Sequence, residues 1–114
     1  MEELTNEIIL SVCSPKDGVE GPFMVVHNGG NWAIVAFTFQ DTPSLGIRWF
    51  HCGSGMPVGR NGAPVWFRIP EELNTSILNG LPLSSVRRHN IDDYLCGNIR
   101  GEELWKSVKH EKVF

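Results

Sequence analysis

The sequence predicts an α+β fold, in which a four-stranded antiparallel β-meander is packed on one face by two or three short C-terminal helices. Residues 23–69 hold four short segments rich in β-branched and aromatic residues, and turn-forming residues separate them. The remaining residues contain segments that open with acids and close with glycine or bases, as helices do. A length of 114 residues with 41% hydrophobic residues favours one globular domain spanning 1–114.

The predicted strands cover residues 23–28, 32–39, 45–51 and 64–69. The sequence NGGN at 28–31 favours a tight hairpin turn, since Asn and Gly tolerate the positive φ that such turns need. A second turn is expected in QDTPS at 40–44. The second strand is apolar at every position from Trp32 to Phe37, which is typical of a strand covered on both faces or lying at an interface.

The helices are predicted from their end signals. Residues 70–80 open with Pro70 and two acids and end at Gly80. A second helix is expected from an Asn90 cap to Gly97, and a third over 101–112 with acids first and bases last. Residues 4–13 fit a helix or a strand, and the spacing of Leu4, Ile8 and Val12 favours the helix; residues 14–22 are expected to form a loop.

Composition argues against several classes of protein. The net charge of −3 disfavours nucleic acid and anionic membranes as partners, and no apolar run is long enough to span a membrane. The acidic start of the chain does not resemble a secretory signal. Three widely spaced cysteines favour free thiols in a reducing compartment, so we expect a cytoplasmic protein.

Residues 42–70 form a cationic, aromatic segment, because they carry three arginines and no acid. Arginine beside aromatic rings is typical of binding hot spots and of sites for planar anions. Within and around this segment we predict a ligand- or partner-binding surface. Its residues are Arg48, Trp49, Gly59, Arg60, Asn61, Trp66 and Arg68.

The glycine-rich loop at 52–63, within HCGSGMPVGRNGAP, is the centre of this prediction. Gly53 and Gly59 are six apart and are followed by Arg60-Asn61, so the lysine and hydroxyl of a phosphate-binding P-loop are absent. A dinucleotide fingerprint fails because Val58 stands at its third glycine. No cofactor is expected. Backbone N–H groups and Arg60 would instead hold a small carboxylate or phosphate, or the loop is only a long hairpin turn.

The alternative function is a small enzyme that uses Cys52 with a nearby histidine. His51 adjoins Cys52, but neighbouring residues on a strand point to opposite faces, so His51 serves Cys52 only if the chain leaves strand geometry there. A metal site is not expected, because the sequence has no paired Cys or His at ligand spacing. The acidic pairs at 71–72, 92–93 and 102–103 open predicted helices, where the dipole favours them.

The aromatic pairs Trp49-Phe50 and Trp66-Phe67 indicate self-association. Neighbours on a strand face opposite ways, so one ring of each pair lies on the face that the helices leave open. Another element or another copy of the chain must cover that ring. The sequence therefore favours a non-enzymatic binding module, homo-oligomeric, with a protein partner or small anion as its ligand.

Overall fold

The structure is a computed structural model that describes residues 3–12, 19–50, 55–57 and 64–111, with side chains up to 107. Its helices are α1 (Asn6–Leu10), α2 (Asn74–Asn79), α3 (Ser85–Leu95) and α4 (Gly101–Glu111), and a turn of 3-10 helix, Glu71–Leu73, precedes α2. Its strands are β1 (Val19–Asn28), β2 (Trp32–Phe39), β3 (Thr42–Trp49) and β4 (Phe67–Arg68). No helix in these ranges is both long and apolar enough to cross a membrane.

The four strands form one antiparallel sheet in the order β1-β2-β3-β4, which confirms the predicted meander and the α+β class. The second strand has the predicted bounds. Five consecutive residues of β2, from 33 to 37, are buried, as expected of a strand that is covered on both faces.

The turn between β2 and β3 is shorter than predicted. Only Gln40 and Asp41 turn, both with positive φ (50° and 66°), as in the two-residue turns that match the twist of a hairpin. Strand β3 therefore starts at Thr42, not at 45, and it ends at Trp49. Pro43 fits within it, since β4 pairs only with Gly46 and Ile47, beyond the reach of Pro43.

The outer strands also differ from the predicted ones. Strand β1 starts at Val19, inside the predicted loop, because a register shift between Glu20 and Met24 accommodates Gly21 and Pro22. Strand β4 is only two residues long. The backbone of Val65, predicted to lie in this strand, instead binds Pro57 and the Arg48 side chain.

The helices fall where they are predicted, except for the start of α3. Its N-cap is Ser84, whose hydroxyl accepts a hydrogen bond from the Arg87 N–H at 3.1 Å. Asn90, the predicted cap, lies inside the helix, because the preceding residues 85–89 are helical too. The expected helix over 4–13 is confirmed in part as α1, which Thr5 caps.

The face of the sheet that meets α2, α3 and α4 is named the C-terminal face. Its core joins side chains of β1, β2 and β3, and Ile69 just after β4, to these helices: Met24, Val26, Ile34, Ala36, Leu45, Ile69, Leu78, Ile91, Tyr94 and Leu104. Tyr94 is 1% exposed, and its hydroxyl lies 2.5 Å from the Thr38 hydroxyl. The predicted helical layer is thus confirmed, and it lies over the end of the sheet that carries the β2–β3 turn.

The opposite face, named the N-terminal face, has a second core. It contains Ile9, Val25, Ala33, Val35, Phe37 and Trp66. Asn28 fixes α1 over this face, because its side-chain amide donates to the Leu4 carbonyl at 2.8 Å. The second face is therefore covered by an element of the same chain.

Candidate functional site

Residues 55–57, in the middle of the glycine-rich loop, are hydrogen-bonded to the segments before and after the loop. Trp49 and Met56 exchange backbone hydrogen bonds of 2.7 and 3.1 Å, and the Val65 N–H donates to the Pro57 carbonyl at 3.3 Å. Gly55 adopts a φ of +68°, and a Cβ there would lie 2.3 Å from the Trp49 carbonyl oxygen. Only glycine fits that position, so this part of the loop has a defined shape.

Arg48 also fixes the middle of the loop, through hydrogen bonds of its side chain. Its side chain is 2% exposed, and its Nη1 donates to the carbonyls of Pro57 (2.8 Å) and Val65 (2.9 Å). The guanidinium carbon lies 5.0 Å from the centre of the Phe50 ring. Burial lowers the pKa of Arg48, by removing water from the charged form. One buried cation thus joins the middle of the loop to the segment that follows it.

Trp66 ties the same region to the N-terminal segment. It is 7% exposed, and its indole N–H donates to the Val12 carbonyl at 2.8 Å. Its ring meets the Phe50 ring edge-on at 5.9 Å. Arg48, Phe50 and Trp66 therefore form one cluster on the N-terminal face, in which Arg48 and Trp66 are buried and Phe50 is half-buried.

Trp49 lies on the C-terminal face, within an exposed apolar patch. The patch consists of Trp32, Trp49, Met56 and Phe67. Trp49 is 45% exposed, Met56 62% and Phe67 58%. Direct partners on antiparallel strands point to the same side, which places Met56 beside Trp49, while Phe67 stands opposite Ile47 in the next row.

Aromatic contacts extend the patch toward β1. The rings of Trp32 and Trp49 are 6.2 Å apart, and those of His27 and Trp32 are 5.2 Å apart. The C-terminal helices cover the other end of this face, so the patch remains open to solvent. In the described part of segment 42–70, both charged side chains, Arg48 and Arg68, lie on the N-terminal face; the patch is uncharged there.

Arg68 is exposed on the edge strand β4. Its Nε donates to the Ser44 hydroxyl at 2.9 Å, and its guanidinium carbon lies 5.2 Å from the centre of the Phe39 ring. Ser44 is 2% exposed and donates in turn to the Thr42 carbonyl at 3.0 Å. The guanidinium is thus oriented by a ring and a hydroxyl.

The predicted binding residues do not converge on one site in the described part of the chain. Arg48 and Trp66 are buried together, Trp49 lies on the opposite face, and Arg68 stands at the sheet edge. The other predicted residues, His51, Cys52, Gly59, Arg60 and Asn61, lie outside the described residues, as does most of the loop at 52–63.

Sequence reasoning missed Met56, Ser44 and Phe39. Met56 joins the patch only through its pairing with Trp49, which depends on how the loop closes. Arg68 contacts Ser44 on the neighbouring strand β3 and Phe39 on β2. The sequence predicts a turn over residues 40–44, so it does not bring either residue next to Arg68. The two-residue turn at Gln40 and Asp41 leaves no clear signal in the sequence, because its positive φ values fall on residues other than glycine.

No group of three metal-ligating side chains is found among the described residues. Cys96 is an exposed free thiol. Comparison of the chain with protein-family models, with curated proteins and with solved structures gives no match.

Proposed function

We propose that the protein is a binding module that pairs with a second copy of itself through the exposed apolar patch. The observation that carries this proposal is the grouping of Trp49, Met56 and Phe67 on one open sheet face. A large aromatic side chain covers ~150–250 Å², so the three exposed side chains present on the order of 300 Å² of apolar surface. Patches of that size on monomers are often functional.

A second copy fits this patch because the patch carries no charge in its described part. In a two-fold pair each surface meets its own copy, so any charge near the axis would face a like charge. Tryptophan at the centre of an uncharged patch is also the usual composition of an interface hot spot. The N-terminal face does not need a second copy to cover it, because α1 covers that face.

Sedimentation of the wild type and two variants tests the proposal. The chain has a mass of 12.8 kDa, and we expect a species of roughly twice that mass at micromolar concentration. Trp49→Ala should shift the equilibrium to the monomer. Trp105→Ala is the matched control, because Trp105 on α4 is similarly exposed, at 42%. A wild type that stays monomeric over a tenfold concentration range contradicts the proposal, and so does an equal effect of both variants.

A second candidate function, binding of a small anion at the glycine-rich loop, is favoured by the fixed middle of that loop. A loop whose middle is held by Arg48 loses less entropy on binding than a mobile loop does. Arg60 would contact the anion. Arg60→Lys should lower the thermal stabilisation by carboxylate or phosphate ions, since lysine lacks the two-pronged fork. Equal stabilisation of both proteins means that the loop is only a turn.

A further inference from the structure

Among the described residues, no further strand pairs with the outer edge of β4, so the described sheet has an open edge there. The Ile69 N–H donates to the Leu45 carbonyl at 2.8 Å, so the backbone of residue 69 points toward β3. Alternate residues of a strand direct their N–H and C=O groups to the same neighbour. The backbone N–H and C=O of Arg68 therefore point the other way, away from β3, where the described sheet ends.

The Arg68 side chain stands at this same edge, and no described residue accepts a hydrogen bond from its Nη atoms. Ser44 accepts from Nε alone, which leaves the N–H groups of both Nη atoms on the far side of the guanidinium. Among the described residues, no carboxylate lies within ion-pair distance of Arg68. An arginine whose orientation is already fixed loses little side-chain entropy when it binds an anion.

Both features select the same kind of ligand. An extended peptide that adds a strand to an open edge receives backbone hydrogen bonds, and its alternate side chains contact the two faces of the sheet. On the N-terminal face such a peptide meets the cationic Arg68, and on the C-terminal face it meets the apolar Phe67. Charge complementarity then requires an acid next to Arg68, and an apolar residue is required next to Phe67.

We infer that the outer edge of β4 binds an extended, acidic segment of a partner protein, in which glutamate or aspartate alternates with apolar residues. The partner's carboxylate receives two hydrogen bonds from the Arg68 fork. Its backbone pairs with the outward N–H and C=O of Arg68. The short length of β4 keeps this edge from pairing indiscriminately, so the charge contact supplies the selectivity.

Fluorescence anisotropy with a labelled hexapeptide of alternating valine and glutamate tests the inference. We expect saturable binding with a Kd below about 1 mM. Arg68→Gln should weaken binding by about tenfold or more, because charged hydrogen bonds are lost. Arg100→Gln is the matched control, since Arg100 is also exposed but lies at the start of α4; it should bind as the wild type does.

Two peptide variants separate the charge contact from the strand pairing. Replacing glutamate by glutamine should abolish most of the affinity, and methylation of alternate backbone nitrogens should do the same by removing donors. Arg68→Lys keeps the charge without the fork and should bind several-fold more weakly than the wild type. This variant also serves if thermal melting shows that Arg68→Gln is unfolded.

Three results overturn the inference: absence of saturable binding, equal binding of the glutamine peptide, or unchanged affinity in both Arg68 variants. Trp49→Ala should bind the peptide at least as tightly as the wild type, because Trp49 lies on the other face, three register positions from the strand partner of Arg68, and pairing of two copies would cover Phe67. Failure of self-association therefore does not affect the outcome of this experiment.

Discussion

Gly46 determines how closely the core of the N-terminal face can pack. It lies in the middle of β3, where glycine is otherwise unfavourable, yet a Cβ there would lie 2.8 Å from Phe37 Cε1 and 3.1 Å from Trp66 Cβ. The Phe37 ring and the Trp66 Cβ occupy the space that a side chain at this position would need. The sequence alone assigns this glycine no special role, because the contact joins β3 to β2 and to the residue before β4, and it requires the strand register.

Gly46→Ala should therefore destabilise the fold by about 1–3 kcal/mol, as overpacking of a filled core does. Urea unfolding followed by tryptophan fluorescence measures the effect. Gly80→Ala is the matched control. Its nearest contacts would be ordinary, at 3.6 and 3.7 Å, and its φ of −87° suits alanine. Equal stability of the two variants would show that the rings have room to move.

Tyr94 links the stability of the fold to alkaline pH. Burial, as the largest cause, raises the pKa of Tyr94 from 10.0 to about 12, and the hydrogen bond with Thr38 partly opposes the rise. The folded chain then holds this proton more tightly than the unfolded chain does. The resulting stabilisation is complete below pH 10 and is lost as the pH rises through about 12.

We expect the free energy of unfolding to fall by up to about 3 kcal/mol across that interval through Tyr94 alone. Tyr94→Phe should remove this part of the pH dependence, although loss of the Thr38 hydrogen bond costs about 1 kcal/mol at neutral pH. Because the chain has a single tyrosine, ultraviolet absorbance of tyrosinate reports this group directly. Ionisation at the ordinary pKa of a phenol would contradict the expectation.

Among the elements, α3 shows how end signals mislead when two of them lie close together. Ser84 and Asn90 are both good caps, but a helix that begins at Ser85 places Val86 and Arg87 in its first turn. Arg87 then reaches β1, where its Nη2 donates to the Val25 carbonyl at 2.6 Å. This tertiary contact favours the earlier start, and it is not visible in the local sequence.

Ser84→Ala should destabilise the protein by about 1 kcal/mol, because the Arg87 N–H loses its capping acceptor. Asn90→Ala should be neutral or slightly stabilising, since alanine is the better residue inside a helix. Thermal unfolding of both variants compares the two positions directly. A larger loss at Asn90 would mean that the helix begins where the sequence predicted.

At the scale of the whole molecule, the sequence predicts the meander, but it does not predict which element covers the N-terminal face of the sheet. The order β1-β2-β3 follows from short turns at 28–31 and 40–41, which make consecutive strands neighbours in the sheet. The cover of the N-terminal face comes from α1, a five-residue helix whose sequence also fits a strand. The cluster of Arg48, Phe50 and Trp66 depends on a loop closure that no local pattern indicates.

Arg48→Met tests how far this cluster supports the molecule. Methionine fills much of the space but donates no hydrogen bond, so the Pro57 and Val65 carbonyls lose a buried donor. We expect a loss of about 2–3 kcal/mol, measured by urea unfolding. Sedimentation of the same variant should also show weaker self-association, since Met56 of the apolar patch precedes Pro57, which Arg48 holds. Unchanged stability would show that neither carbonyl depends on the guanidinium.

The cover provided by α1 has a consequence for how the protein can fail. A helix of five residues opens at little energetic cost, well below that of global unfolding. When α1 detaches from the sheet, the apolar side chains of Val25, Val35 and Phe37 become exposed to solvent while the sheet itself stays intact. Aggregation would then begin from a nearly native molecule. Limited proteolysis within the first residues of the chain should therefore precede, and accelerate, precipitation on gentle warming.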